Sequence, residues 1–540
     1  MKQLIASGIL LLIITTSSAQ SPVTDPPPAA PGTDTLKTVQ ILSTDRYGYV
    51  KKDSLTEFLM LVGNVKLKQE NTLFYGDSSV FNKNGKIIEA FGNVHINDND
   101  SIDTYSDYLL YHTDTKIATL KKKVRMTDGK SNLFTEELEY DVNQKTGVYR
   151  NGGKVINGTS VLTSTEGTYY ADLKDVYFKH NVVLKDPKYN LTTDSLLYNT
   201  NTQIATFITK TYIEDSAKRN IVTSEGYYDL KNKNAYFGKR PVIKDGASTI
   251  IANEVTSDDQ KGISFFTGNV IYKDTAQGMT LLSNAVVTDK NKGTLLATQK
   301  PLMILKQEND STFITADTLY SGKLNEIPVF ADSTVSGDSV FRHIVAPNES
   351  DSSLRYFRAY HHVRIFSDSM QAVCDSLFYS GKDSIFRLFN DPVIWASNSQ
   401  VTGDTIFMYT KNRKPDELRV FENGLMINKT GENMFNQIKG NRLFGIFKLG
   451  QIDYVRAKGN GESIYYAKDG QEKLIGINKA ASDIIEMRFK NKALYRVVYI
   501  SEVTGTMFPV NQAKDEDKRL RSFKWLEERR PKTKFELFGN

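Results

Sequence analysis

Short stretches of this chain alternate strictly between apolar and polar residues. In the segment GNVHIN at 92–97, Val94 and Ile96 are apolar, whereas His95 and Asn97 are polar. Alternation with a period of two is typical of a β-strand with one buried face and one solvated face. The Gly-Asn pair before Val94 tolerates a positive φ, so the segment predicts a turn followed by a strand.

The same pattern returns about every thirty residues. The valines that open the alternating runs are Val65, Val94, Val124, Val155, Val182, Val242, Val270, Val363 and Val393. Acidic residues followed by apolar or aromatic ones keep the same period at Asp77, Asp107, Glu136, Glu166, Asp194, Asp317, Asp375 and Asp404. A unit with a single apolar face cannot bury that face alone. The pattern therefore predicts an elongated all-β stack of repeats, each with two or three short strands, which together form two facing sheets.

The apolar positions of each alternating run are expected on the inner face of this stack. Two arrangements are compatible with the pattern: a closed core, as in a parallel β-helix, and an open groove between two curved sheets. The inward side chains vary from unit to unit instead of forming stacks of one residue type, which slightly favours the groove. The candidate groove positions are Val65, Leu67, Val94, Ile96, Val124, Met126, Val182, Leu184, Val270, Tyr272, Val363, Ile365, Val393 and Trp395.

The N-terminal residues have the composition of an export signal. Residues 1–19 contain one lysine, an apolar run and small residues at their end, which predicts a cleavable secretory signal. Residues 20–38 are rich in proline and are expected to form a flexible linker.

The period of the repeat divides the remaining chain. Repeats are expected over 39–320 and again over 357–487, which we interpret as two domains. The period blurs over 321–356, which predicts an irregular insert or a domain junction. Residues 488–540 are expected to form a C-terminal cap.

A short basic amphipathic helix is predicted within this cap. Leu520, Phe523 and Leu526 recur at steps of three, and Pro531 would end the helix. The simplest interpretation is a solvated helix that closes the last rung. The alternative is a contact between its basic residues and anionic lipid headgroups or a protein partner.

Composition and charge limit the disulfides and the partners that the chain can have. The chain has one cysteine in 540 residues, so no internal disulfide can form, and Cys374 is expected to be a buried, inert thiol. The formal charge of +6 is too small over this length to indicate a nucleic-acid partner.

Residues with catalytic chemistry do not form a recognisable motif. His361 and His362 are adjacent in a predicted strand, so their rings would point to opposite faces and could not share a metal ion. Recurrent aspartates such as Asp107 and Asp375 lack the glycine-rich companions of calcium-binding repeats and are expected to be turn and strand-start residues. The sequence therefore predicts a protein that is not an enzyme and that needs no metal or cofactor.

The repeats resemble those of the OstA-like (LptA-type) lipopolysaccharide-transport proteins. The resemblance depends on Gly-Asn-Val starts, as at 63–65, 92–94 and 268–270, and on second strands such as TDSLLY at 193–198 and CDSLFY at 374–379. Each motif is weak by itself, whereas their recurrence in phase behind an export signal is a strong signal.

This resemblance implies a β-jellyroll whose apolar interior holds the acyl chains of lipopolysaccharide while the sugars stay outside. It implies a periplasmic bridge whose partners are an inner-membrane Lpt extraction complex, an outer-membrane LptD-type translocon and further copies of the chain stacked end to end. The chain differs from the short periplasmic members by its length, and from the outer-membrane members because no large membrane barrel is expected after the repeats.

Two other functions fit parts of the pattern. A structural or adhesive β-solenoid at the cell surface would have a solid core and no lipid ligand. A β-helical enzyme that acts on polysaccharide ranks last because no acidic cluster stands out in the sequence.

Overall fold

The computed structural model describes residues 38–52, 57–82, 84–306, 311–324, 329–335, 339–345, 355–411, 414–449, 451–469, 471, 473–490 and 493–538. Within these residues almost every regular element is an antiparallel β-strand. The predicted all-β fold is therefore confirmed. The predicted signal at 1–19 and nearly all of the predicted linker at 20–38 lie outside the described residues.

The strands follow one another along the chain and are joined by turns. Those of the first half are β1 (Gln40–Ser43), β2 (Arg46–Lys51), β3 (Glu57–Gln69), β4 (Thr72–Asn82), β5 (Ile87–Asp98), β6 (Ile102–His112), β7 (Ile117–Thr127), β8 (Ser131–Asp141), β9 (Thr146–Tyr149), β10 (Gly153–Asn157), β11 (Ser160–Ser164), β12 (Glu166–Tyr170), β13 (Asp175–Lys185), β14 (Tyr189–Asn199), β15 (Ile204–Phe207), β16 (Thr211–Asp215), β17 (Asn220–Thr223), β18 (Glu225–Asp229), β19 (Asn234–Gly238), β20 (Val242–Asp245), β21 (Ser248–Ile251) and β22 (Glu254–Asp258).

The remaining strands continue the same order. They are β23 (Ile263–Asp274), β24 (Met279–Asp289), β25 (Thr294–Thr298), β26 (Leu302–Lys306), β27 (Ser311–Thr315), β28 (Thr318–Lys323), β29 (Val329–Val335), β30 (Ser339–Val345), β31 (Arg355–Phe366), β32 (Gln371–Ser380), β33 (Ile385–Phe389), β34 (Val393–Ala396), β35 (Ser399–Thr402), β36 (Thr405–Lys411), β37 (Lys414–Gly431), β38 (Met434–Lys448), β39 (Gln451–Lys468), β40 (Leu474–Lys490), β41 (Ala493–Ile500) and β42 (Thr504–Phe508).

The long strands bend in the middle, and this bend folds the sheet lengthwise into two facing walls. In β5 the bend is at Gly92 and Asn93, which have φ of 69° and 45° and interrupt the register with both neighbouring strands. We call the side of the bend that holds 87–91 of β5 and 108–112 of β6 wall 1. The side that holds 94–98 of β5 and 102–106 of β6 is wall 2. The Gly-Asn pair thus has the positive φ that its sequence predicts, but it lies inside one long strand and not in a turn between strands.

One apolar core lies between the two walls for most of their length. Ile88 and Leu109 contribute from wall 1, and Val94 and Ile96 contribute from wall 2. All four side chains are buried. Stacking therefore buries the single apolar face of each repeat, as the alternating pattern predicts.

Part of the predicted insert at 321–356 forms a separate hairpin. Strands β29 and β30 pair only with each other, within the residues that the structure describes. The main ladder continues past them, because β28 pairs with β31 from Thr318 with Tyr360 to Lys323 with Arg355. The division into domains 39–320 and 357–487 remains a prediction.

The chain after β42 crosses the outer face of wall 2, and we call residues 509–538 the strap. A short helix, α1 (Asp515–Lys518), is its α-helical part. The predicted short C-terminal helix is thus present, but Leu520, Phe523 and Leu526 follow it in an irregular segment. Helix periodicity was the wrong interpretation of these residues, because their side chains pack onto the wall instead of lining one helix face.

Glutamine side chains from wall 2 hold the strap in place. Gln437 donates from Nε2 to the carbonyl of Lys518 and accepts at Oε1 from the N–H of Leu520, both at 2.8 Å. Gln400 makes the same pair of bonds, both at 2.7 Å, with Lys524 and Leu526. Each of these amides thus satisfies a donor and an acceptor of the strap backbone, which lets the strap lie against a buried surface.

Candidate functional site

The interior between the walls is the candidate site, and the bend in each long strand shapes it. At several bends an acidic residue of the adjacent strand binds the second bend residue. Asn93 donates from Nδ2 to Asp77 Oδ2 at 3.0 Å, and Asn423 does the same to Asp404 at 3.1 Å. His362 takes this position elsewhere, and its Nδ1 lies 2.9 Å from Asp317 Oδ2. Recurrent acidic residues such as Asp77 and Asp404 therefore bind the bends. Asp77, Asp107 and Asp375 lie inside strands, whereas Glu166 begins β12 and Asp317 and Asp404 directly precede β28 and β36, so the predicted strand-start role holds for only some of them.

Most of the predicted groove positions lie in the interior. Buried members of the common core are Val65, Leu67, Val94, Ile96, Val124, Met126, Val182, Leu184, Val270, Val363 and Ile365. Tyr272 is partly buried against the same core, and its hydroxyl lies 3.1 Å from that of Ser248. Whether any of these side chains contacts lipid remains a prediction.

Val393 and Trp395 do not face the interior, so this part of the prediction is wrong. Both are buried on the opposite face of wall 2, where Leu526 of the strap packs on them. Their neighbours Ile394 and Ala396 face the core instead. Pro392 follows the bend here and shifts the valine by one position, and a shift of one residue exchanges the two faces of a strand.

Side chains fill the interior almost completely. A cavity between the walls of the first half measures about 20 Å³. Its lining includes the apolar Met126, Leu133 and Val155 and the polar Asp128 and Tyr169. About one water molecule fits such a volume. In this conformation the interior is therefore a packed core, and an acyl chain can enter only if the walls separate.

Polar side chains close the edge where the free ends of the two walls meet. In the first half, tyrosines near the ends of wall 1 strands donate to side chains at the ends of wall 2 strands. We call these pairs the tyrosine seam: Tyr111 Oη to Gln69 Oε1 at 2.6 Å, Tyr140 Oη to Asp98 Oδ2 at 2.6 Å, and Tyr169 Oη to Asp128 Oδ2 at 3.1 Å. On the next rung Asn157 donates from Nδ2 to the carbonyl of Thr200 at 2.7 Å.

Burial and neighbouring groups determine the protonation states of Tyr140 and Asp128 in the seam. It raises the pKa of Tyr140 far above the usual range, and the Asp98 carboxylate raises that pKa further. Burial also raises the pKa of Asp128, but hydrogen bonds from the backbone of Ser131 and Lys130 outweigh it, so this pKa is lowered overall. The tyrosines therefore stay neutral donors, and Asp128 stays an ionised acceptor.

Comparison with known proteins identifies the family of this fold. Residues 37–194 match the family model of the OstA-like protein, and residues 249–414 match that of the LptA/(LptD N-terminal domain) LPS transport protein. Together the two matches cover more than half of the chain. The chain belongs to the OstA-like family of lipopolysaccharide-transport proteins.

A solved structure also matches part of this chain. It is the crystal structure of LptH, the LptA homologous periplasmic component of the conserved lipopolysaccharide transport device from Pseudomonas aeruginosa. The match is 12% identical, covers 26% of this chain and 82% of that chain, and has a TM-score of 0.20. None of the curated protein sequences matches the chain significantly.

His95 and Cys374 of this OstA-like chain have structural contacts. His95 points outward as predicted, where it stacks between Tyr75 and Tyr105 with ring centroids 5.1 Å and 4.4 Å away. Its Nε2 lies 2.7 Å from Asp103. Cys374 is buried in the core, and burial raises the pKa of its thiol to about 12.

His361 and His362 both lie at a bend of this OstA-like chain, with φ of 59° and 53°, so they do not alternate as in a regular strand. They bind different carboxylates, Asp375 and Asp317. Among the described residues no three His, Cys, Asp or Glu side chains are grouped to hold a metal ion. In the same residues no helix has the length and apolar character to cross a membrane.

The seam was missed at the level of sequence although its signal is present. Tyr111, Tyr140, Tyr169 and Tyr198 are spaced 29 residues apart. This spacing matches the repeat, but Tyr111, Tyr140 and Tyr169 each bind a residue more than forty positions earlier. The spacing therefore does not show the partner until the walls are folded together.

Proposed function

We propose that this chain is a non-enzymatic periplasmic carrier, which holds the acyl chains of lipopolysaccharide between its walls and passes the lipid toward the outer membrane. Membership of the OstA-like family and an apolar interior that runs through most of the stack support this function. Signal-dependent export, through the predicted signal at 1–19, would place the chain in the periplasm.

The energetics of acyl chains favour such a path. Each buried methylene is worth about 0.8 kcal/mol, so a chain of about twelve methylenes gains roughly 10 kcal/mol when it leaves water. A core made of Val, Leu, Ile and Met side chains offers this environment rung after rung. Under this proposal the lipid replaces core contacts as the walls part, and the contacts re-form behind it.

The tyrosine seam is the edge at which we propose that lipid enters and the sugars stay outside. The bends on the opposite edge are continuous covalent chain and cannot part, whereas the seam depends on hydrogen bonds such as the one from Tyr140 to Asp98. A net value of about 1 kcal/mol for a neutral hydrogen bond, or somewhat more for one to a charged group, makes stepwise opening affordable for a hydrophobic ligand.

The proposed partners would bind the ends of the stack. At one end β1 and β2 are exposed and pair only with β3, and at the other end β41 and β42 pair only with β40, within the described residues. Such edges can extend a sheet into another protein. We propose an inner-membrane Lpt extraction complex, an LptD-type translocon and end-to-end copies of this chain as partners.

Photo-crosslinking of adjacent residues tests the carrier function. A photoreactive residue at Val94 or Ile394 faces the core. The neighbour His95 lies on the outer face of its wall, and Trp395 is buried between the outer face of wall 2 and the strap. In cells the two inward positions are expected to capture lipopolysaccharide, and the two outward positions are not. Capture from His95 and Trp395 alone would refute transport through the interior.

A structural solenoid without a lipid ligand is the second candidate, because the interior is packed and its cavity measures only about 20 Å³. Native mass spectrometry of the protein purified from its own cells separates the two functions. Co-purified lipopolysaccharide supports the carrier, whereas a protein that is lipid-free and that protease removes from intact cells supports the surface solenoid.

A further inference from the structure

The outer face of wall 1 has an unusual row of side chains in the second half of the molecule. On eight successive strands, from β28 to β39, directly paired residues alternate between an aromatic ring and an arginine. We call these residues the arginine row: Tyr320, Arg358, Phe378, Arg387, Phe407, Arg419, Phe444 and Arg456.

The same row has no arginine on the strands that precede β28. From β18 to β25 the directly paired residues are Tyr227, Tyr236, Thr256, Phe265, Val287 and Leu296. The outward aromatic positions are thus a general feature of wall 1, whereas the regular insertion of arginine is confined to the second half. Repeat stacking alone would not require this difference.

Each of the first two arginines lies over two rings. The guanidinium carbon of Arg358 is 5.2 Å from the ring centroid of Tyr356 and 5.6 Å from that of Phe378. Arg387 lies 5.5 Å from Phe378 and 5.3 Å from Phe407. These cation–π contacts hold the long side chains against the wall without removing them from solvent, since all members of the row are partly or fully exposed.

Neighbouring outward positions make this face strongly basic. Further cations on the adjacent rows are Arg442, Lys458, Arg488 and Arg496, and carboxylates among them are Glu417 and Glu486. Asp383, Glu417 and Glu486 pair with Arg387, Arg419 and Arg456. The eight cations named on this face outnumber the three carboxylates named with them, so the face has a local excess of positive charge.

We propose that the arginine row docks on an anionic phospholipid bilayer. Eight strands at about 4.8 Å spacing make a row of about 34 Å, which spans several lipid headgroups rather than one small anion. Guanidinium groups bind phosphate oxygens in a bidentate manner, and aromatic rings between them suit the boundary between headgroups and acyl chains. The strap covers the outer face of wall 2 in the same half, so this half presents wall 1 to the bilayer.

This surface is independent of the carrier function, because it needs only phospholipid phosphate. Vesicles without lipopolysaccharide therefore test it alone. The purified full chain is sedimented with vesicles of phosphatidylcholine, or of phosphatidylcholine mixed with phosphatidylglycerol. We expect binding to the mixed vesicles only, and a fall in binding as salt rises.

Two variants of the row locate the binding site. Replacing Arg358, Arg387, Arg419 and Arg456 by glutamine is expected to weaken binding to the mixed vesicles at least about tenfold, a conservative figure because three of these arginines already pair with carboxylates. Replacing the same four residues by lysine keeps the charge and the strand pairing, so this variant is expected to retain most of the binding. It therefore separates loss of charge from poor folding of the glutamine variant.

A matched control removes the same charge from the first half of wall 1. It replaces four exposed lysines by glutamine: Lys121 on β7, and Lys231, Lys261 and Lys292 in the turns that join wall 1 strands. All but Lys231 also pair with carboxylates. This control is expected to bind like the unaltered chain. Equal loss of binding in the control, or no preference of the unaltered chain for anionic vesicles, would overturn the proposal.

Discussion

Removing the hydroxyl of Tyr140 tests whether the tyrosine seam holds the walls together. Tyr140 is fully buried, and its hydroxyl donates to Asp98 Oδ2 at 2.6 Å. The Asp98 carboxylate is 4% exposed and keeps a second bond, from Thr72 Oγ1 at 3.0 Å. Tyr140→Phe therefore leaves a buried carboxylate oxygen without its donor while the aromatic packing stays.

The expected loss follows from the type of bond removed. A hydrogen bond to a charged acceptor contributes about 1.5–3 kcal/mol, and we expect Tyr140→Phe to lower the free energy of unfolding by about 2 kcal/mol. Tyr198→Phe is a matched control, because Tyr198 is a buried repeat equivalent whose hydroxyl has no hydrogen-bond partner. Removal of that unsatisfied hydroxyl is expected to be neutral or slightly stabilising.

Urea denaturation followed by circular dichroism measures both variants, and native-state hydrogen exchange shows where the molecule opens. Tyr140→Phe should raise exchange at the ends of β5 and β8 more than at the bends. If both variants lose the same stability, the contribution comes from packing and not from the seam. A Tyr140→Phe variant as stable as the unaltered chain would also contradict this account of how the walls are held.

Three further predictions concern the bend, the strap and pH. Gly92→Ala should lower the stability measured by thermal denaturation by about 1–3 kcal/mol, because φ is 69° and the new Cβ would lie 2.4 Å from an Asp77 oxygen. The control Gly76→Ala should lower it much less, because its new Cβ meets no atom closer than 3.6 Å. Gln437→Leu removes two bonds to the strap and should make the strap cleavable by trypsin while the circular dichroism of the sheet is unchanged. Because the pKa of Asp128 is lowered in the folded chain, its contribution to stability is present above the ordinary pKa of 3.8 and is lost as pH falls through the lower folded pKa. Asp128→Asn should therefore lose less stability than the unaltered chain when the solution is acidified.

The strand pattern could be predicted because it depends on local alternation. Val94 and Ile96 face the core since a period of two leaves no other choice once one face is buried. The same rule explains the error at Val393. The prediction for Val393 assumed that the first residue after each bend is a valine. In three repeats a proline takes this place, and the next inward residue lies two positions later: Pro241 and Ile243, Pro301 and Met303, and Pro392 and Ile394.

The bends themselves are only partly visible in the sequence. Gly92-Asn93 shows the expected tolerance of positive φ, but Lys122-Lys123 and His361-His362 adopt the same conformation without any such signal. At these positions the strain is offset by neighbours on the adjacent strand, such as Asp107 at 3.3 Å from Lys123 and Asp375 at 3.1 Å from His361. A contact between strands cannot be deduced from one strand alone.

The strap could not be predicted for the same reason. Gln371, Gln400 and Gln437 are isolated polar residues in apolar strands, and nothing in the sequence connects them to residues more than eighty positions later. Their spacing becomes meaningful only when β32, β34, β35, β37 and β38 pair in this order and present the three amides in line, on every second strand of wall 2.

The polar bonds of the two halves of the molecule therefore have different effects on the walls. In the first half polar bonds such as that from Tyr140 to Asp98 close the free edge itself, so their loss opens the interior directly. In the second half the bonds of Gln400 and Gln437 lie on the outer face of wall 2 and join its strands to the strap, so their loss loosens one wall and does not part the two. If lipid moves through the interior as proposed, its entry should be sensitive to seam variants in the first half, whereas strap variants should change the stiffness of wall 2 without admitting lipid.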